Sequence, residues 1–170
     1  MNKPQQFLMF FFLITIVTNS AAQSTPPCVC CTEAHSQFDF WVGEWNVYNP
    51  QGQLVGTNRI EVVQDSCVRV EHWVSAKGTF TGTSYNFYDT ETKRWRQTWV
   101  DNQGGNLLLS GEWKDGSMTL DDKEATGNEE NYNRITWTPN SDGSVRQHWQ
   151  KTEDGGVTWT TVFDGLYKKM

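Results

Sequence analysis

Basic residues, histidine, long apolar runs and helical periodicity are all scarce in this chain, and each shortage removes a class of function. Its 170 residues hold 14 Lys and Arg against 20 Asp and Glu, a formal charge of −6, so it lacks the basic surface that phosphate binding needs and nucleic acid is not an expected partner. The three histidines, His35, His72 and His148, lie far apart in spacings that match no zinc or calcium motif. No nucleophile and base stand in a recognisable catalytic pattern, so no catalytic residue, metal or cofactor is expected. The longest apolar stretch, Phe7 to Val17 with Thr15 inside it, is shorter than the roughly 20 residues that cross a bilayer, so no integral membrane span is expected.

That stretch follows Lys3 and precedes Thr18-Asn19-Ser20-Ala21-Ala22, the charged, apolar and small-residue order of a secretory signal. Residues 1–22 are therefore read as a signal peptide cleaved after Ala22, giving a secreted or periplasmic protein. Removing them takes away one lysine and no carboxylate, which moves the charge from −6 to −7. The four cysteines, Cys28, Cys30, Cys31 and Cys67, then face an oxidising compartment where disulfides persist. Cys67 is expected to bond one of the clustered three and so staple the irregular lead-in, residues 23–37, to the domain at 38–170. The competing reading is a metal site from Cys28, Cys30, Cys31 and His35.

What the chain has in abundance is tryptophan, nine in all, set in short runs separated by Gly, Asn, Asp and Pro. Strands are expected near Glu44–Asn49, Leu54–Gln64, Cys67–Ala76, Thr79–Tyr88, Arg94–Asp101, Asn106–Trp113, Ser117–Lys123, Asn131–Pro139, Ser144–Glu153 and Val157–Lys168, with a short helical turn at Phe38–Val42 before them. Turns such as Lys77-Gly78, Asp115-Gly116 and Asp142-Gly143 supply residues that tolerate positive φ, as hairpins require. About ten sequential antiparallel strands predict an all-β protein, a single up-and-down barrel, because closure removes the exposed edges.

Alternation assigns the inward faces. Trp95, Gln97, Trp99 and Asp101 share one face, and Val145, Gln147 and Trp149 another. Asn133, Ile135 and Trp137 continue the lining, as do Val157, Trp159, Thr161 and Phe163, with Asn58, Ile60 and Val62 on the second strand. Two strands remain open: Cys67–Ala76 turns either its valines or Glu71 and Trp73 inward, and Thr79–Tyr88 is ambiguous around Tyr85, Asn86 and Phe87. Arg96-Gln97-Thr98-Trp99 and Arg146-Gln147-His148-Trp149 repeat the pattern Arg-Gln-x-Trp.

Phe38-Asp39-Phe40-Trp41-Val42-Gly43-Glu44-Trp45, Val55-Gly56-Thr57-Asn58-Arg59-Ile60, Trp99-Val100-Asp101-Asn102-Gln103-Gly104-Gly105 and Asn133-Arg134-Ile135-Thr136-Trp137 resemble a family of exported bacterial lipocalin-like (calycin-type) barrels. The resemblance covers almost all of the chain after Cys31. It implies a small barrel in which Trp45 plugs one end beneath a basic side chain, Arg134 or Arg146, and it brings no activity. Nitrobindin-like haem barrels resemble it more remotely, and this chain has no histidine near its C-terminus for their iron.

These readings converge on a small-molecule-binding barrel whose pocket draws on Asn58, Glu71, Asn86, Gln97, Trp99, Asp101, Arg134, Trp137, Gln147 and Trp149, suited to a polar-aromatic or amphipathic ligand. The alternatives are a barrel enzyme, isomerase or hydrolase, with Asp101 or Glu71 as base and Arg59 or Arg134 opposing developing charge, and a haem-binding barrel. A self-satisfied polar network that only fixes strand register is the purely structural option. Intact-mass measurement of the exported protein should find Gln23 as its first residue; a chain retaining Lys3 would reject the cleavage site.

Overall fold

The structure, a computed structural model, describes residues 27–170; the expected signal segment lies outside them. Ten strands follow in chain order: β1 (Gly43–Tyr48), β2 (Leu54–Val63), β3 (Val68–Ser75), β4 (Thr81–Asp89), β5 (Arg94–Asp101), β6 (Asn106–Lys114), β7 (Ser117–Asp121), β8 (Tyr132–Pro139), β9 (Val145–Thr152) and β10 (Thr160–Lys169). Each pairs antiparallel with its neighbour in sequence, and β10 closes on β1, so the sheet is a complete up-and-down barrel. Two four-residue helices accompany it, α1 (Glu33–Ser36), capped by the Thr32 side chain, and α2 (Lys123–Thr126). Neither was legible in the hydrophobic pattern, because one turn of helix shows no period. The expected opening turn is present as a single 3-10 turn at Asp39–Trp41.

One end of the barrel is plugged. The turn drives Phe38 and Trp41 under the strands, where Phe38 stacks on Trp41 at 5.0 Å between ring centres and meets the edges of Trp95 and Trp137. Trp45 is fully buried beside them and donates its indole N–H to the Trp41 carbonyl at 2.8 Å. The cation over Trp45 is Lys169, with Nζ 4.1 Å from the ring centre, and not Arg134 or Arg146 as expected. The register explains the correction: Trp45 faces Lys169 across β1 and β10, whereas Arg134 and Arg146 occupy outward positions of their strands. Gly43 makes room, since a Cβ there would stand 2.3 Å from Lys169 Nζ and its φ of +136° suits glycine alone.

Arg69 fastens the plug to the wall. Its guanidinium is almost wholly buried, donates through Nε to Asp39 at 2.9 Å and through Nη1 to the Ser66 carbonyl at 2.7 Å, and lies over Trp95. Sulfur reinforces the same corner. Cys67 bonds one of the clustered three, as expected, and the member is Cys30; Cys28 bonds Cys31. All four sulfurs are thus consumed in covalent bonds, which removes the proposed metal site; His35 instead sits buried against Tyr88 and Thr32.

Most inward faces follow the expected alternation, and the two open strands are decided. Glu71 and Trp73 point inward on β3, while Ser84 and Asn86 do so on β4, leaving Tyr85 and Phe87 outside. The β10 assignment needs correction. The strand starts at Thr160, and a bulge between Thr161 and Phe163 shifts the register, so Phe163 enters the lumen while Val157 and Thr161 remain outside. Trp159 also leaves the lining: it lies beneath the Arg134 guanidinium at 3.6 Å and against Tyr132.

Replacing Cys30 and Cys67 together by serine should cost about 4 kcal/mol, the loop-closure value for a cross-link spanning this sequence separation. Denaturant unfolding of the double variant checks it, and an unchanged midpoint would show that the staple is not needed to hold the plug.

Candidate functional site

Above the plug the lumen opens into a cup of about 410 Å³. Its walls are aromatic. Trp73, Trp99, Trp149 and Phe163 stand around it, with Phe80 at the rim, and three of these rings lie where a neighbouring residue has no side chain. Trp73 covers Gly56, Trp99 covers Gly82 and Phe163 covers Gly165, each ring so close that an added Cβ would fall within 2.5 Å of it. These glycines let the rings lie flat against the wall, which keeps the centre of the cup empty.

The floor is polar. Glu71, Gln97, Gln147 and Tyr167 line it, and Asn58, Ser84 and Asn86 are buried around them. Glu71 accepts from Asn58 Nδ2 at 2.7 Å through one carboxyl oxygen and from Ser84 Oγ at 2.6 Å through the other. Ser84 Oγ in turn accepts from Asn86 Nδ2 at 2.8 Å, and Gln97 Nε2 donates to Asn86 Oδ1 at 2.7 Å. Tyr167 donates to Gln147 Oε1 and accepts from Asn58, so the network reaches from β2 and β3 across the lumen to β9 and β10. Asn58 Oδ1 has no partner among the described residues.

Burial governs the electrostatics here. Desolvation raises the Glu71 carboxyl from 4.5 to about 7, against the opposing hydrogen bonds from Ser84 and Asn58. The Tyr167 hydroxyl is pushed well above its ordinary value by burial and then by Glu71. Asp101 behaves differently. It stands at the rim, where the backbone N–H groups of Gln103 and Gly105 donate to it at 2.9 Å and hold its carboxyl below the usual range.

Six of the residues expected at a pocket line the cup together: Glu71, Gln97, Trp99, Asp101, Gln147 and Trp149. Asn58 and Asn86 belong to the hydrogen-bonded layer around its floor. Trp137 is fully buried in the plug, one layer too deep. Arg134 projects from the outer face, where it donates to Gln150 at 3.1 Å and covers Trp159. Arg59 is outside as well, paired with Glu61, so neither arginine of the enzyme alternative meets a lumen carboxylate. The three histidines also lie away from the cup: His72 pairs with Glu61 and His148 meets Thr161. Sequence reasoning missed Ser84 and Tyr167, because a serine and a tyrosine in a strand carry no sign of what they face. Trp73, inward in one of the two alternatives left open for its strand, stands on the wall.

The fold and site define a closed ten-stranded barrel with one plugged end, an aromatic cup at the other and a hydrogen-bonding floor between. Compared with known proteins, the chain matches no family model and no curated sequence. Among the described residues no helix is long and apolar enough to cross a membrane.

Because the folded protein binds the Glu71 proton more tightly than the unfolded chain, this group's contribution to stability is complete below about pH 4.5 and is lost as pH rises through about 7. Glu71→Gln keeps the shape without the charge. Its stability relative to the parent should therefore improve from pH 5 to pH 8, by up to about 3 kcal/mol, in paired denaturation curves. A constant difference across that range would mean that Glu71 titrates normally.

Proposed function

We propose that this chain is an exported small-molecule-binding barrel of calycin type, and that its cup takes a flat polar-aromatic or amphipathic ligand. The single observation that carries this reading is a one-ended cavity of about 410 Å³ in which indole walls stand over a floor of hydrogen-bonding side chains. Its size lies within the range of small-molecule pockets, and the division of apolar wall from polar floor is the arrangement such pockets use to fix orientation. Glycines behind the rings support the same conclusion, since a barrel selected only for stability would fill its centre with side chains. Export is supported by two disulfides, which persist in oxidising compartments, and by the resemblance of the opening phrase to exported barrels.

Catalysis is the second reading, and one fact favours it: a carboxyl shifted to about 7 is suited to proton transfer. The partner that such a base needs is not in the cup, because Arg59 and Arg134 lie outside. Binding therefore accounts for more of the site.

Native mass spectrometry of protein purified from its own host should reveal a bound small molecule, and titration with that compound should change tryptophan emission. Trp99→Ala removes a wall ring and should weaken binding about tenfold, a loss of one flat aromatic contact. A cup that yields no adduct and no emission change across a chemically broad library would reject the proposal.

A further inference from the structure

The charges inside the cup are all of one sign. Among the described residues its ionisable lining consists of two carboxyl groups, Glu71 at the floor and Asp101 at the rim, with the Tyr167 phenol, and contains no lysine, arginine or histidine. The cations nearest in sequence are directed elsewhere: Arg69 points into the plug toward Asp39, and His72 points outward to Glu61. Around Glu71, β2 offers Asn58 and Ile60, β4 offers Ser84 and Asn86, β5 offers Gln97, β9 offers Gln147 and β10 offers Tyr167. Each is neutral, so the carboxyl has hydrogen bonds but no counter-ion. Both its oxygens accept one bond and retain a lone pair for another. Gln97, itself buried, donates its amide N–H groups to Asn86 and Ser84, which leaves its carbonyl oxygen as an unused acceptor in the cup lining.

The geometry points to an organic amine as the ligand class: a primary or secondary ammonium on a flat aromatic body, its N–H groups on Glu71 and the Gln97 carbonyl and its body between Trp73, Trp99 and Trp149. This rests on the binding reading above and narrows it. An ammonium supplies the counter-charge that the floor lacks and the donors that its acceptors need, while the indole faces attract the cation electrostatically. A carboxylate ligand meets the reverse situation: two like charges and no donor cation. Fatty acids are thus excluded by the same inventory.

The proton balance follows. Below neutrality Glu71 is protonated in the empty cup, and an ammonium that pairs with it requires the carboxylate. Binding then transfers the Glu71 proton to solvent, with the ammonium entering as the cation and the site becoming an ion pair. Above neutrality the carboxylate is already present and no proton leaves.

Three probes with one ring system separate the possibilities: tryptamine, its neutral analogue tryptophol, and indole-3-acetate, each measured by titration calorimetry on the disulfide-intact protein. Tryptamine should bind about tenfold or more tighter than tryptophol at about pH 8, with indole-3-acetate the weakest. At about pH 6, titrations in buffers of different ionisation enthalpy should show close to one proton released per tryptamine and none per tryptophol. Glu71→Gln should bring tryptamine down to the tryptophol affinity, and the parent's proton release tests the idea even if that variant does not fold. Tryptophol binding as well as tryptamine, or tryptamine binding without proton release, would overturn the amine assignment and leave the binding cup standing. Failure of all three probes together with an empty cup in the native protein would overturn both.

Discussion

The carboxyl of Glu71 is the constraint to which the rest of the barrel is fitted. Moving a carboxylate out of water is costly, and the protein answers with two direct hydrogen bonds from neighbouring strands and a second layer of donors behind them. Those bonds only form in one register. A slip of one residue on β3 would turn Glu71 to solvent and place His72 inside, so the polar layer specifies the pairing of β2, β3 and β4 as firmly as the hydrophobic plug below it does. The plug works by other means, with rings packed in edge and stacked contacts and the buried Arg69 paired with the exposed Asp39, tying the opening turn to the wall.

Much of this was legible in the residues. Turn signals and alternation located all ten strands, because a barrel with an apolar lumen and a wet exterior makes each strand report its own inward face. Where the lining itself turns polar, the report fails. On β3, inward Glu71 looks like an outward residue and exposed Val74 like an inward one, which is why that strand resisted assignment. Trp159 misled for a complementary reason: beneath Arg134 and against Tyr132 an outer indole is half shielded, and a bulge two residues later hides the change of face. Lys169 over Trp45 depends on which strands meet when the barrel closes, a non-local fact that no spacing along the chain carries.

The Arg-Gln-x-Trp repeat acquires a structural meaning. β5 and β9 stand four places apart in the ring of ten strands, close to opposite each other. Each sends its glutamine to the floor and its tryptophan to the wall above, and each directs its arginine outward onto acidic partners, Arg96 to Asp89 and Glu124 and Arg146 to Asp164. The same four residues thus solve the same problem on two sides of one cavity. Whether copied or arrived at twice, the motif describes a cup: period-two alternation raises the ring one layer above the amide on the same face.

A buried carboxyl with no counter-ion is unfavourable for a protein whose only task is to stay folded, since an apolar side chain of similar size at such a site is often as stable or more so. Register alone does not require the charge. Glutamine would keep a carbonyl acceptor for Asn58 or Ser84, and would do so at every pH. What glutamine lacks is the ability to become an anion, and that ability matters only when something cationic, or a proton, is to be received. The open cup directly above, its lack of a cation among the described residues and the spare acceptor on Gln97 all lie on the side from which such a group would arrive. Under the proposed binding role, the energetic cost of Glu71 and the emptiness of the cup become two aspects of one design, in which stability given up by the folded chain would be recovered on filling the cavity.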